Sequence, residues 1–365
     1  MQQLAQQMVS AGAPVDRLLI TLSTLNPQVA ATSYSWLKSD GKTTPFFPGH
    51  QIRQTDRYIG SPMQQLFETG KKVRQRLDQL PADAHLAYTE LADDGFIDYL
   101  AMPIRFVQDL GSALIVATKE VEGFSDYDIE CFRKLRSLLA PQLEVFSLRH
   151  QLLSLMNTYV GHRTGQKILS GMIRRGDADT LHAALWFSDL RGLTRLSESI
   201  PAEQILALLN EYFEYVSAAV SARGGEILRF IGDAMLIVFP IDANTSSHQA
   251  CNNAIEAALD AQTTIATLNH QRRRHQQPEI HFGVGLNVGE VIYGNVGAPD
   301  RLDFTVMGPA VNRVARLETL TKTLEADILF SREFAELLDQ PTRFLGDHEM
   351  KGLALPQAVF ALADA

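Results

Sequence analysis

The sequence predicts an α+β protein of two domains joined by a helical linker, and three observations carry that reading. At 365 residues the chain is long for one domain and comfortable for two. Strand-type alternation and helix-type periodicity intermix in both halves. Between the halves runs one helical stripe, followed by a connector punctuated by Gly161, Gly165, Gly171 and Gly176. The expected divisions are residues 1–142, 143–179 for the linker, and 180–365.

In the first domain, residues 18–22 and 34–37 read as strands, and residues 61–77 as a helix entered through Ser61-Pro62. Residues 96–106 and 112–118 read as two further strands, joined by Gln108-Asp109-Leu110-Gly111 as a hairpin-type turn. Gly123-Phe124-Ser125-Asp126 is a helix start, and a long helical pattern follows from about residue 127. This strand-rich unit with a long exit helix resembles a GAF-type sensory domain in its layout and its Phe124-Ser125-Asp126 entry. The resemblance implies a small-molecule or protein regulator of unknown identity. The residues alone leave open another α+β unit that only mediates dimerisation, and Tyr34, Trp36 and Phe46 read as core rather than as a ligand cage.

Within residues 144–170 the apolar positions Val145, Leu148, Leu152, Leu155, Met156, Tyr159 and Val160 form a helical stripe. It suits a parallel dimer seam or packing on its own domain, with Pro141 marking a kink ahead of it. In the second domain a short strand, 183–188, ends at Asp189. A helix opened by Pro201 and lined by Leu208, Tyr212 and Val216 runs to Gly224-Gly225. Strands 226–230 and 234–239 meet across Ile231-Gly232-Asp233, and a helix follows over about 247–271, capped by Ser246 or Ser247. Strand 280–287 is expected to turn at Val288-Gly289 into strand 290–296. Strand 302–307 then leads into a helix from 309 to about 321. This order describes a ferredoxin-like core with additions.

Composition narrows the function classes. A formal net charge of -9 argues against a general nucleic-acid binder. The run Arg272-Arg273-Arg274-His275 reads as a solvated helix end. Cys131 and Cys251 lack metal-ligand spacing and suit a reducing compartment, and no apolar run is long enough to span a bilayer. A cytoplasmic protein without membrane or nucleic-acid partners is expected.

The chemistry-bearing segments are Phe187-Ser188-Asp189-Leu190-Arg191-Gly192-Leu193-Thr194 and Arg229-Phe230-Ile231-Gly232-Asp233-Ala234. Each places an aspartate at the end of an apolar strand within three residues of a glycine. If the strands are neighbours, the carboxylates can share a pair of divalent cations over a phosphate chain. With a third segment, from Asp303 through Thr305, Gly308, Asn312 and Arg316 to Glu318, they resemble the catalytic domain of class III nucleotidyl cyclases over about half the chain. The resemblance implies two metal ions, Mg²⁺ or Mn²⁺, on Asp189 and Asp233. It implies that Asn312 holds the ribose and that Arg316 stabilises charge on the α-phosphate. Gly192, Thr194 and Lys351, the last within Met350-Lys351-Gly352, would face the phosphates. Without those companions, Arg313, Arg316 and Glu318 would read as one solvated helical face.

Base selection departs from the commonest pattern. The base-reading positions carry Thr305, as in the threonine subtype of bacterial adenylyl cyclases, and Arg229 where lysine is usual. A donor-only guanidinium with a hydroxyl can satisfy adenine N1 and its amino group but leaves guanine N1–H unmatched, which favours ATP. Arginine is longer and forked, so it can instead reach a phosphate or a neighbouring carboxylate. Arg229 and Asp233 are too close in the hairpin to serve opposite ends of one nucleotide, which are about 10 Å apart. The resemblance implies that a head-to-tail dimer resolves this with sites drawn from both protomers. Because this chain carries a member at every position, a homodimer would have two complete sites. A guanylyl cyclase and a catalytically silent nucleotide-binding module are the alternatives. A diguanylate cyclase is disfavoured, because Gly224-Gly225-Glu226 is followed by Ile227.

Overall fold

The computed structural model of the chain describes residues 1–107, 112–353 and 355–363, so the expected turn at Gln108-Asp109-Leu110-Gly111 lies outside the described residues. The chain divides into two compact units, Met1–Thr158 and Tyr159–Ala365. Among the described residues no helix is long and apolar enough to cross a membrane.

The first unit runs α1 (Gln2–Ser10), β1 (Arg17–Ser23), β2 (Ala31–Leu37), β3 (Thr43–Phe46), α2 (Pro62–Thr69), β4 (Val73–Arg76), α3 (Leu86–Asp93), β5 (Asp98–Ile104), β6 (Ser112–Thr118) and α4 (Asp126–Val160). The six strands form one antiparallel sheet in the order β3-β2-β1-β6-β5-β4. Alternation along β1 puts Leu18, Ile20 and Leu22 into a core with α1 and with Phe124 and Phe132. Tyr99, Ala101 and Ile115 pack on another with Leu66 and Leu91. Ser125 and Asp128 cap the start of α4 reciprocally: the Asp128 N–H donates to Ser125 Oγ at 3.2 Å and the Ser125 N–H to Asp128 Oδ2 at 2.9 Å.

One expectation changes here. The helix expected over 61–77 stops at Thr69, where Gly70 turns left-handed at φ 62. Val73 then enters the sheet opposite Ala101. Val73 and Leu77 stand at helical spacing from Leu66, which made the strand look like more helix. The exit helix α4 runs through Pro141 without ending. Val145, Leu148 and Leu152 are exposed along it.

The second unit runs α5 (His162–Leu169), β7 (Ala178–Leu190), α6 (Leu193–Ser197), α7 (Ala202–Ala222), β8 (Glu226–Ile231), β9 (Ala234–Pro240), α8 (Ser247–Arg274), β10 (Phe282–Ala298), β11 (Arg301–Met307), α9 (Pro309–Thr323), β12 (Ile328–Ser331), α10 (Arg332–Ala335), β13 (Thr342–His348) and β14 (Gln357–Leu362). Its sheet follows β13-β14-β12-β10-β7-β9-β8, with β11 paired to β10. From β7 to β10, omitting the short α6, the units read βαββαβ, the expected ferredoxin-like core. Leu208, Tyr212, Val216 and Val220 of α7 pack with Ala254, Ile255, Ala258 and Ala261 of α8 against Trp186, Ile237 and Val284 of the sheet.

The glycine-marked connector contains helix α5, with Gly161 at its N-terminus at φ 86. The turn expected at Val288-Gly289 is absent: β10 is one strand of 17 residues. A Cβ on Gly289 would lie 3.1 Å from the Ala310 Cβ, and one on Gly285 would lie 2.4 Å from the Val314 carbonyl oxygen. Those glycines permit close approach of α9 rather than reversal of the chain. Arg272 also differs from the solvated reading, since it is buried and donates from Nη1 to Glu211 at 2.5 Å.

Candidate active site

Strand β7 lies between β10 and β9, with Ser188 opposite Met235. The next residue, Asp189, therefore sits where β9 begins. Asp233 occupies the two-residue turn before β9, where Ile231 pairs with Ala234 and Gly232 takes φ 64. The sheet thus brings together two aspartates that are far apart in sequence. Burial, then the neighbouring Asp189 charge, raises the pKa of Asp233. Beneath them, Tyr212 donates from its hydroxyl to Ser188 Oγ at 3.0 Å, holding β7 against α7.

A third carboxylate and a lysine complete this end of the sheet. Lys322, near the end of α9, donates from Nζ to Asp189 Oδ2 at 3.0 Å and lies 4.0 Å from Glu318 Oε1. Burial works against the Lys322 charge, but the Asp189 hydrogen bond and the charges of Glu318, Asp189 and Asp233 outweigh it and raise its pKa. Glu318 is 3% exposed, and its Oε1 has no hydrogen-bond partner. Burial pushes its pKa up to about 7, opposed by Lys322 and reinforced by Asp189 and Asp233. Crowded acidic oxygens that already hold an ammonium are a donor set suited to hard divalent cations, so these residues fit the metal pair implied by the sequence. Among the described residues no group of three or more His, Cys, Asp or Glu side chains forms a fuller metal cage.

Asn312 and Arg316 share an exposed face of α9, away from the buried Val314, Leu317 and Glu318. The supposed solvated face is therefore three environments, because Arg313 pairs with Glu333 at 3.0 Å and Glu318 is buried. Asn312 precedes Lys322 by ten residues, about 15 Å along the helix axis. The chain thus brings Asp189 and Asp233 together but does not bring Asn312 to them. Gly192 is exposed and left-handed at φ 76, and Thr194 is exposed in α6. Lys351 is exposed between β13 and β14.

At the positions expected to read the base, Thr305 is buried on β11 opposite Gly294 of β10. Arg229 Nη1 forms an ion pair with Asp303 Oδ2, two residues before Thr305. The guanidinium has taken the neighbouring-carboxylate option. Sequence reasoning singled out neither Asp303 nor Lys322 and gave Glu318 no place in the site. The Glu318–Lys322 spacing of four residues was the available signal.

The sequence model described as "Adenylate and Guanylate cyclase catalytic domain" matches residues 178–362, more than half of the chain. An adenylate cyclase of Anabaena cylindrica is 34% identical over 176 residues, covering 47% of this chain and 34% of the relative. Adenylate cyclase 1 of Rhizobium meliloti (strain 1021) is 30% identical over 168 residues, covering 46% of this chain and 25% of the relative. The chain spans about a third or less of the length of these relatives. A solved bacterial light-regulated adenylyl cyclase shares the fold, with a TM-score of 0.52 at 21% identity over 70% of this chain and 82% of that one.

Proposed function

Since residues 178–362 make this chain a member of the adenylate and guanylate cyclase catalytic-domain family, we propose that it is a homodimeric adenylyl cyclase that converts ATP to 3′,5′-cyclic AMP and pyrophosphate under control of its first unit. The observation that carries the reading is the convergence of Asp189 and Asp233 at one end of the sheet while Asn312 and Arg316 face outward on α9. The chain presents two complementary half-sites. Joined head to tail, two copies make two complete ones. Exposed Phe230, Ile231 and Ile292 on β8 and β10 supply apolar surface for that contact. The exposed stripe on α4 supplies a second seam, and a cytoplasmic setting suits the composition.

In the assembled site Asp189 and Asp233 of one protomer would hold Mg²⁺ or Mn²⁺. Bound there, the two cations supply charge neutralisation at the ribose 3′-hydroxyl and along the triphosphate. Lys322 Nζ, 3.0 Å from Asp189 Oδ2 and 4.0 Å from Glu318 Oε1, would compete with a cation for Asp189. The open left-handed Gly192 allows the backbone beside Thr194 to approach the phosphates. The partner protomer contributes Asn312 to orient the ribose, Arg316 to stabilise charge on the α-phosphate, and Lys351 to meet the terminal phosphates. Its Arg229 and Thr305 face the base. Residues 1–142 are assigned to sensing as a GAF-like domain, 143–179 to signal transmission and 180–365 to catalysis.

A second reading has one observation in its favour. Asp303 puts an acceptor beside Arg229, and guanine N1–H requires an acceptor. GTP is therefore the rival substrate, although Arg229 already engages that carboxylate. Incubation with ATP or GTP and Mn²⁺, with chromatographic separation of products, decides between them. Cyclic AMP from ATP is expected, with Asp189→Asn and Asp233→Asn inactive. A preference for GTP overturns the base assignment, and Mn²⁺-dependent turnover in either aspartate variant overturns the metal assignment.

A further inference from the structure

The first unit contains a cavity of about 370 Å³ over one face of its sheet. Register places its floor: Arg17, Leu19, Thr21 and Ser23 are alternate residues of β1, so they share a face. Ala117 and Ile115 stand opposite Arg17 and Leu19 on β6, and Ser33 stands opposite Thr21 on β2. Met63 and Phe67 of α2 and Leu91 of α3 close the far wall without filling the space. The volume falls at the lower end of the range for small-molecule sites, roughly 300–1,000 Å³.

The charges lining this cavity do not balance. Arg17, Arg53 and Arg57 face Glu90 and Asp94. Glu90 is engaged by Arg57 at 2.8 Å, leaving two arginines against one carboxylate. Among the described residues, the Arg17 guanidinium makes no ion pair or hydrogen bond, although Tyr99, Asp94 and Glu90 lie near enough to influence it. Burial lowers its pKa, so the site bears the cost of a desolvated cation without a direct partner. An arginine beside Leu19, Ile115 and Ala117 on this sheet face, opening into unfilled space, has the geometry of an anchor for a negatively charged group. The hydrogen-bonded Thr21 and Ser33 hydroxyls, 2.8 Å apart, add a polar point farther along the same wall.

We propose that this cavity binds a small organic monoanion with an apolar body, its acidic group held by Arg17 and its body packed on Leu19, Ile115 and Phe67. This site is independent of the nucleotide chemistry of the second unit and is tested by binding alone. The probes are 1-anilinonaphthalene-8-sulfonate, which joins one sulfonate to an apolar body, and N-phenyl-1-naphthylamine, the same body without charge. Both are titrated into the full chain with saturating ATP and chelator, to occupy the nucleotide site without turnover.

The sulfonate probe is expected to saturate at one per chain. Arg17→Met should weaken it about tenfold while changing the neutral probe less than about twofold, and Arg17→Lys should recover much of the loss. Ala31→Trp, which fills the cavity from β2, should remove both probes while leaving the melting temperature of the second unit unchanged. Equal sulfonate affinity in the parent and Arg17→Met overturns the assignment, as does parallel loss of both probes in a folded Arg17→Met. If Arg17→Met does not fold, Ala31→Trp decides: retention of the stoichiometric sulfonate site in that variant overturns the proposal.

Discussion

Replacing Glu318 with glutamine isolates the cost of a buried carboxylate. Its pKa rises from 4.5 to about 7 in the folded chain, chiefly through burial. A folded-state value above the unfolded one means that the native protein binds this proton more tightly. Stability from this group is therefore lost as pH rises through the interval between the two values, and the loss levels off above about pH 7. At about 1.4 kcal/mol per pH unit, the full penalty is roughly 3 kcal/mol. Little solvent screening applies, because the Glu318 side chain is 4% exposed. Glutamine keeps the shape and cannot ionise. Glu318→Gln should thus be within about 1 kcal/mol of the parent near pH 5 and more stable by about 3 kcal/mol near pH 8. Urea unfolding with chelator present, followed through buried Trp186 in a Trp36→Phe background, reads this in the second unit alone. A gap that is the same at both pH values, or a glutamine variant that is weaker near pH 8, refutes the reasoning.

Other expectations follow from single contacts. Gly285→Ala should cost about 3 kcal/mol, because its Cβ would lie 2.4 Å from the Val314 carbonyl oxygen and 2.5 Å from the Glu318 nitrogen; urea melts measure this, and a neutral result removes the close-approach account of β10. Arg229→Lys should keep selectivity for ATP, whereas a lysine variant that gains turnover with GTP contradicts base reading by a donor-only side chain; product analysis distinguishes them. Lys322→Met should strengthen Mn²⁺ binding several-fold in calorimetry by freeing Asp189, and unchanged affinity shows that the ammonium does not compete for the site.

The sequence made the aspartate pair legible because each residue lies at the end of an apolar strand within three residues of a glycine, and strand ends are local features. It made the βαββαβ order legible through the switch between periods of two and 3.6. Gly289 was misread because a glycine that ends a strand and a glycine that admits a helix look alike until α9 is seen resting on β10. Glu318 could not be placed either. Its fate is set by how closely α9 seats on Gly283 and Gly285, a matter of tertiary approach. The Arg229–Asp303 pair joins β8 to β11 across the fold, and no local spacing announces it. In the first unit, β4 hid behind a helical spacing that only the left-handed Gly70 interrupts.

The shared-site homodimer is tested most directly by complementation. Asp233→Asn and Asn312→Ala damage opposite halves of each composite site, so either variant alone should be nearly inactive. In a mixed dimer one site collects both lesions and the other collects neither. Purified heterodimers carrying two distinguishable tags should recover about half the parental rate of cyclic nucleotide formation, treating the two sites as independent. Heterodimers as inactive as the separate variants would contradict an active site built from two chains.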